Sequence, residues 1–243
     1  MNKIYGRKPV LEAINAGVDL EVIYIAFGQQ GDIIHKIFTA AKKNSIKITQ
    51  LSVQKFNELA SDANAQGVIA LKSSTRFFEL DDLIQSSKKS KYPLLLLLDS
   101  IQDPHNLGAI LRTAECAGVD GVIITTNQSA PITETVEKIS AGAVSHLKIC
   151  KVTNLVRTIE ILKKENFWIV GSSLLNSKEF TSIDYKMPVA LVVGNEEKGI
   201  RKLVAESCDF LVQIPMQGKI DSLNVSVATG ILLFEILRQQ KSY

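Results

Sequence analysis

Two hydrophobic periods succeed each other along the chain, and their order predicts its architecture. Residues 8–16 read as a short helix, with Pro9 tolerated in its first turn and Gly17 as its stop. Residues 21–27 alternate and are rich in β-branched side chains, so they read as a strand. Ile33, Ile34, Ile37, Phe38 and Ala41 then share one face of a helix over 33–43. A strand over 46–51, a short helix over 53–59 and a strand over 68–72 follow, the last entered through the turn Asn64-Ala65-Gln66-Gly67. Residues 1–73 are therefore expected to form a small α/β domain. Serine, threonine and lysine dominate 74–92 around a short apolar helix over 80–84, and this stretch reads as a linker. Its lysines fit a solvated connection, with RNA contact as the alternative.

From residue 93 the pattern becomes strand-helix alternation. Strands are expected over 94–98, 122–125, 147–152, 168–171, 190–193 and 210–214, and helices over 107–117, 132–139, 155–164, 200–205 and 223–237. The run of five leucines from Leu94 to Leu98 has no polar face, so both of its sides must be covered. Residues 93–243 are thus expected to form an α/β domain with a mostly parallel sheet, and ligands in such sheets sit beyond the carboxyl ends of the strands.

Composition narrows the class without choosing the chemistry. A chain of 243 residues that is 46% hydrophobic and 22% charged can bury a substantial core. A formal charge of +3 permits an RNA partner but does not require one. Cys116, Cys150 and Cys208 have no metal-ligand spacing and read as small apolar core residues; no metal is expected. The first residues carry no signal-peptide apolar region, and no apolar run approaches the roughly 20 residues that span a bilayer. The expectation is a cytoplasmic protein with no membrane association. Trp168, between apolar neighbours in a strand, is expected to pack in the core.

Three loops carry the unusual residues. The first runs from Asp99 to Glu115: Asp103-Pro104 is a turn, and Asn106 is placed to cap the helix that follows. Leu107, Ile110, Leu111 and Ala114 make its buried stripe, while Gly108, Arg112 and Glu115 fall on another face. Gly108 is expected to let a ligand or a second chain come close. Arg112 either serves a site or forms a surface pair with Glu115. The second loop, Val193-Gly-Asn-Glu-Glu-Lys-Gly199, has neither the P-loop ending nor dinucleotide-loop spacing. Its adjacent Glu196 and Glu197 would repel phosphate, so a cationic or neutral ligand group fits better. The third loop follows Ile214-Pro-Met216 and leads through Gly218, Lys219 and Asp221 to Ser222-Leu223-Asn224, where Ser222 or Asn224 can cap the last helix.

In their order and spacing these loops resemble the three motifs of the SpoU branch of the SPOUT superfamily of RNA methyltransferases. Asp103-Pro-His-Asn-Leu-Gly-Ala-Ile-Leu-Arg112 is similar to the first, Val193 to Gly199 to the second, and Ile214-Pro-Met through Ser-Leu-Asn-Val-Ser226 to the third. Gly6-Arg-Lys-Pro-Val-Leu-Glu-Ala13 and Gln66-Gly-Val-Ile-Ala70 resemble the family's N-terminal RNA-binding domain. Lys138-Ile-Ser-Ala-Gly-Ala143 and residues 152–171 resemble the 23S ribosomal RNA guanosine 2′-O-methyltransferases.

The resemblance implies an α/β fold whose C-terminal part makes a deep trefoil knot, an arrangement that ordinary connection rules would not suggest. It implies S-adenosylmethionine bound in the knot, RNA as substrate and a homodimer with sites near its interface. Gly194, Ile214 and Leu223 would line the cofactor pocket, and Asn106, Arg112, Glu196, Ser222 and Asn224 match the polar catalytic positions. The family account makes the Arg112 counterpart the general base. A guanidinium with a pKa above about 12 is a poor base but a good phosphate clamp. Glu196 is expected to fix loop geometry, and Ser222 and Asn224 to hold either the ribose or the helix cap. The sequence departs from the family at Ala65, where many relatives have His, and at Glu197, often Gly. The alternatives are transfer-RNA guanosine 2′-O-methylation and an RNA-binding protein without activity. The full N-terminal domain and the end at Tyr243 favour ribosomal RNA.

Overall fold

The computed structural model describes residues 3–18, 20–60, 64–72 and 77–241, so the Ser73–Thr75 stretch of the expected boundary lies outside the described residues. The chain divides into two compact units, Met1–Thr75 with Pro131–Thr133, and Arg76–Ala130 with Glu134–Tyr243.

The first unit holds β1 (Lys3–Tyr5), α1 (Arg7–Asn15), β2 (Leu20–Ala26), α2 (Asp32–Lys43), β3 (Lys47–Leu51), α3 (Val53–Ala60) and β4 (Val68–Lys72). Its sheet has the order β1-β4-β2-β3, with β2 and β3 parallel and β4 antiparallel to both of its neighbours. The helical stripe read in 33–43 is realised in α2: Ile34, Ile37 and Ala41 are buried and pack with Val10, Ile23, Ile25 and Val68.

The second unit holds α4 (Leu80–Ser87), β5 (Leu94–Asp99), α5 (Pro104–Cys116), β6 (Gly121–Thr125), α6 (Glu134–Ile139), β7 (Ile149–Val152), α7 (Leu155–Lys164), β8 (Trp168–Ser172), β9 (Lys178–Glu179), β10 (Val189–Gly194), α8 (Lys202–Glu206), β11 (Phe210–Gln213) and α9 (Val225–Gln240). Its sheet has the order β7-β6-β5-β10-β8-β11-β9, and every neighbouring pair is parallel. The leucine run of β5 is buried throughout. Leu95 and Leu97 face a core built with Leu83 and Ile84 of α4 and Leu155, Ile159 and Leu162 of α7. Leu96 and Leu98 alternate to the opposite face, and α9 runs beside α5 and packs against β10. The two-residue β9 was not read from the sequence, because two residues carry no period. Helix α4 falls within the stretch read as a linker, and its Leu83 and Ile84 are buried in the second unit's core.

Four local readings are corrected. Trp168 is 46% exposed, since it opens β8 where the sheet ends, and its ring stacks on Phe210 at 5.6 Å. Cys116 is exposed at the end of α5, whereas Cys150 is buried and Cys208 half-buried. Burial pushes the Cys150 and Cys208 thiols up to about 12, so neither is a nucleophile near neutral pH. Helix α5 begins earlier than expected: Pro104 takes its first position, and the cap is Asp103, which accepts from the His105 and Asn106 N–H groups. Gly108 is buried and serves α6, because a Cβ there would stand 2.7 Å from Ile139 Cβ and 3.2 Å from the Val136 carbonyl.

Candidate active site

The chain enters the sheet of the second unit at β5 and builds outward to β6 and β7, then returns on the other side, with β10 inserted between β5 and β8. A crevice is expected beyond the carboxyl ends of strands at such a reversal. A cavity of about 360 Å³ occupies that position, walled by the loops that leave β8, β10 and β11.

Gly194, Glu196, Ile214, Ser222 and Leu223 all line it, so five of the eight residues singled out from three distant segments converge on one cavity. Gly194 ends β10 where the chain folds back on itself: Asn195 and Gly199 exchange backbone hydrogen bonds of 3.0 and 2.8 Å. A Cβ on Gly194 would stand 2.2 Å from the Gly199 carbonyl carbon, so only glycine lets this loop close.

Asn106 and Asn224 join the site through side chains. The Asn106 amide donates to the Glu196 carboxylate and accepts from the Asn224 amide at 2.9 Å. Asn224 in turn caps α9, its Oδ1 accepting from the Ser226 N–H at 2.9 Å and the Ser226 hydroxyl at 2.6 Å. Since Asp103 takes the cap of α5, the Asn106 side chain is free for this chain of amides. Glu196 also accepts from Asn195 Nδ2 at 3.5 Å, and no cation pairs with it among the described residues. A carboxylate held by two neutral amides at a cavity wall suits a cationic ligand group.

Arg112 stands apart. It does not line the cavity; it lies six residues beyond Asn106, about 9 Å further along α5. It is exposed, and it forms neither the Glu115 pair nor another hydrogen bond or ion pair among the described residues. Helix α9, which packs against α5, presents Val227, Ile231 and Phe234 on one exposed apolar stripe.

Several residues of the site were not read from the sequence. Asp99, fully buried at the end of β5, accepts from the Arg201 N–H at 2.9 Å and Nε at 2.7 Å. Asn195 Nδ2 donates to the Ser100 carbonyl at 3.2 Å, and its Oδ1 accepts from the Glu197 and Lys198 N–H groups at 3.0 and 3.3 Å. These bonds fasten the loop after β10 at both ends. A charged residue closing an unbroken apolar run was the available signal for Asp99. Leu174 and Leu175 of the loop after β8 also wall the cavity, but nothing local distinguishes them. The two Arg201 donors go to different oxygens of Asp99, so replacing Asp99 with asparagine leaves one of them facing an amide NH2, itself a donor. The expected cost is about 1–3 kcal/mol in denaturant unfolding, with weaker ligand binding at the loop. An unchanged midpoint would show that the clamp is dispensable.

Known proteins agree with this architecture. Residues 93–234 match the SpoU rRNA methylase family, and residues 3–77 match the RNA 2′-O ribose methyltransferase substrate-binding family. A Bacillus subtilis protein named as a TrmH family tRNA/rRNA methyltransferase is 37% identical over 238 residues, covering 98% of this chain and 95% of its own. The AdoMet-bound rRNA methyltransferase of Sinorhizobium meliloti is 26% identical with a TM-score of 0.63, covering 97% of this chain and 86% of that one. The TrmH/SpoU tRNA modifying enzyme of A. aeolicus is 34% identical with a TM-score of 0.57, covering 67% of this chain and 83% of that one.

Proposed function

The chain belongs to the SpoU family of RNA 2′-O-ribose methyltransferases, and on that premise we propose that it methylates the ribose 2′-hydroxyl of a guanosine in 23S ribosomal RNA, in the cytoplasm, as a homodimer. The carrying observation is the convergence of Gly194, Glu196, Ile214, Ser222 and Leu223 on one cavity at the carboxyl ends of the sheet. S-adenosylmethionine supplies an electrophilic methyl group on a sulfonium sulfur when bound.

The cavity's chemistry fits that cofactor. Leu174, Leu175, Ile214 and Leu223 offer apolar walls for a flat heterocycle. Gly194 lets the loop that carries Glu196 close on itself, and the Glu196 carboxylate complements a cationic ligand. Transfer forms an oxygen–carbon bond at the ribose, breaks a sulfur–carbon bond and releases one proton. The residues must therefore hold the hydroxyl oxygen about 3–3.5 Å from the methyl and ease the proton's departure. Ser222 stands at the cavity to orient the ribose, and Asn106 and Asn224 support its wall through the hydrogen bond from Asn106 to Glu196. Arg112 clamps the adjoining phosphate and lowers the pKa of the hydroxyl.

The homodimer reading rests on the exposed Val227, Ile231 and Phe234 stripe of α9, a helix that packs against α5, the helix that carries Arg112. A second copy on that face would seat Arg112 near a shared interface. The trefoil knot is proposed on the same footing. Its support is that β10 and β11, joined through α8, lie on opposite sides of β8, after which α9 returns to α5.

Ribosomal RNA is favoured because the rRNA enzyme of Sinorhizobium meliloti matches nearly the whole chain, whereas the tRNA enzyme of A. aeolicus covers 67% of it. The higher identity of the latter, 34% against 26%, is what supports a transfer-RNA reading. Mapping ribose methylation in RNA from cells with and without the gene decides between them. One guanosine of 23S RNA should lose its methyl group; loss at a tRNA position would replace the reading. Calorimetry with S-adenosylhomocysteine should show binding, and its absence even at millimolar ligand would leave an inactive RNA binder.

A further inference from the structure

At one edge of the first unit's sheet the chain displays a largely exposed aromatic ring. Phe27 follows β2 directly and is 71% exposed. Its backbone is nonetheless fixed: the Phe27 N–H donates to the Leu51 carbonyl at 2.7 Å, and the Ala26 N–H to the Gly67 carbonyl at 3.0 Å. Arg7 laces the loops beside it together. Its Nε donates to the Gln66 carbonyl at 3.0 Å, one terminal nitrogen to the Gln30 carbonyl at 3.4 Å, and the other to the Gln29 side-chain oxygen.

Strand directions explain why these parts meet. β1, β2 and β3 run the same way while β4 runs against them, so the carboxyl ends of three strands share an edge with the start of β4. The first turns of α1, α2 and α3 open there as well and add positive potential. In the segments that reach this edge, the charged residues described are Arg7, Lys8 and Lys55 against Asp32. Val53, exposed at the start of α3, adds an apolar side chain to this edge.

We infer that this edge is an RNA-gripping surface, on which Phe27 stacks against an unpaired base while Arg7, Lys8 and Lys55 meet the flanking phosphates. The inference rests on the RNA methyltransferase reading and adds to it the form of RNA that is held. A duplex keeps its base faces stacked on one another, so a lone ring finds nothing flat to cover. An unpaired nucleotide offers both a free π-face and a nearby phosphate, and the ring suits the first as the cations suit the second. The exposed amides of Gln30 and Gln66 can bond the edge of such a base without selecting its sequence.

The test uses the full chain, a short single-stranded RNA of mixed sequence and the same sequence as a blunt duplex, with affinity read by fluorescence anisotropy. Phe27→Ala should weaken single-strand binding roughly 5- to 100-fold and leave duplex binding unchanged. Phe27→Tyr, which keeps a ring, should restore single-strand affinity. Thermal unfolding and S-adenosylhomocysteine binding should match the native chain in both variants. Native single-strand affinity in Phe27→Ala, or an equal loss on both RNAs, overturns the stacking surface while the methyltransferase reading stands. A change of oligomeric state in Phe27→Ala with RNA binding intact makes the ring a protein contact and also overturns it. A native chain that binds neither RNA nor S-adenosylhomocysteine overturns the methyltransferase reading, and this inference with it.

Discussion

Gly194→Ala is expected to weaken S-adenosylhomocysteine binding by roughly 10- to 100-fold, the range in which forced overpacking displaces well-ordered structure. The added carbon would stand 2.2 Å from the Gly199 carbonyl carbon and 2.3 Å from both the Gly199 oxygen and the Ile200 nitrogen. All three are backbone atoms, so no rotamer change relieves the clash. The loop from Asn195 to Gly199 must lift, and with it the cavity wall that carries Glu196. Its anchors at Asp99–Arg201 and Asn195–Ser100 oppose that movement, so strain is expected in the unfolding midpoint as well. Calorimetry measures the first effect and thermal unfolding the second. Native affinity in this variant would mean that the ligand does not use the loop at all.

Arg112→Ala is expected to lower turnover by roughly 10²- to 10⁴-fold, while S-adenosylhomocysteine affinity stays native. The two effects separate because Arg112 is not part of the cavity wall. Arg112→Lys keeps the charge but loses the planar fork that pairs with phosphate in two bonds, and it should recover little. Near-normal turnover in Arg112→Ala would remove Arg112 from the reaction, and near-normal turnover in Arg112→Lys would show that its planar fork is not needed. Mixed assemblies of the proposed homodimer sharpen the question. Chains carrying Arg112→Ala, paired with chains carrying Gly194→Ala, regain activity only if Arg112 serves the cavity of the opposite copy. No recovery would show that Arg112 does not act on the cavity of the opposite copy.

Legibility varied with the range of the interaction. The leucine run of β5 could lie only between two covered faces, and it does. The stripe of Leu107, Ile110, Leu111 and Ala114 in α5 is buried as its spacing requires. Errors arose where a residue's neighbours in sequence differ from its neighbours in space. Trp168 sits among apolar residues along the chain but at the open end of its strand. Gly108 is small for the sake of α6, which arrives from later in the chain.

By itself the sequence determined the strand-helix alternation, the helix stripes and the three polar loops, because a period of two or 3.6 is written in adjacent residues. It also carried the family likeness through those loops. Only the tertiary structure decided that β10 lies between β5 and β8, which is what brings Gly194 beside Asp99 and lets Asn106, Glu196 and Asn224 share hydrogen bonds. It alone showed that Asp99 and Arg201 fasten the loop, and that Phe27 stands largely exposed. The reason is physical: strand order and side-chain contacts across about a hundred residues are settled by packing and hydrogen-bond satisfaction in three dimensions, for which local sequence leaves no repeating mark.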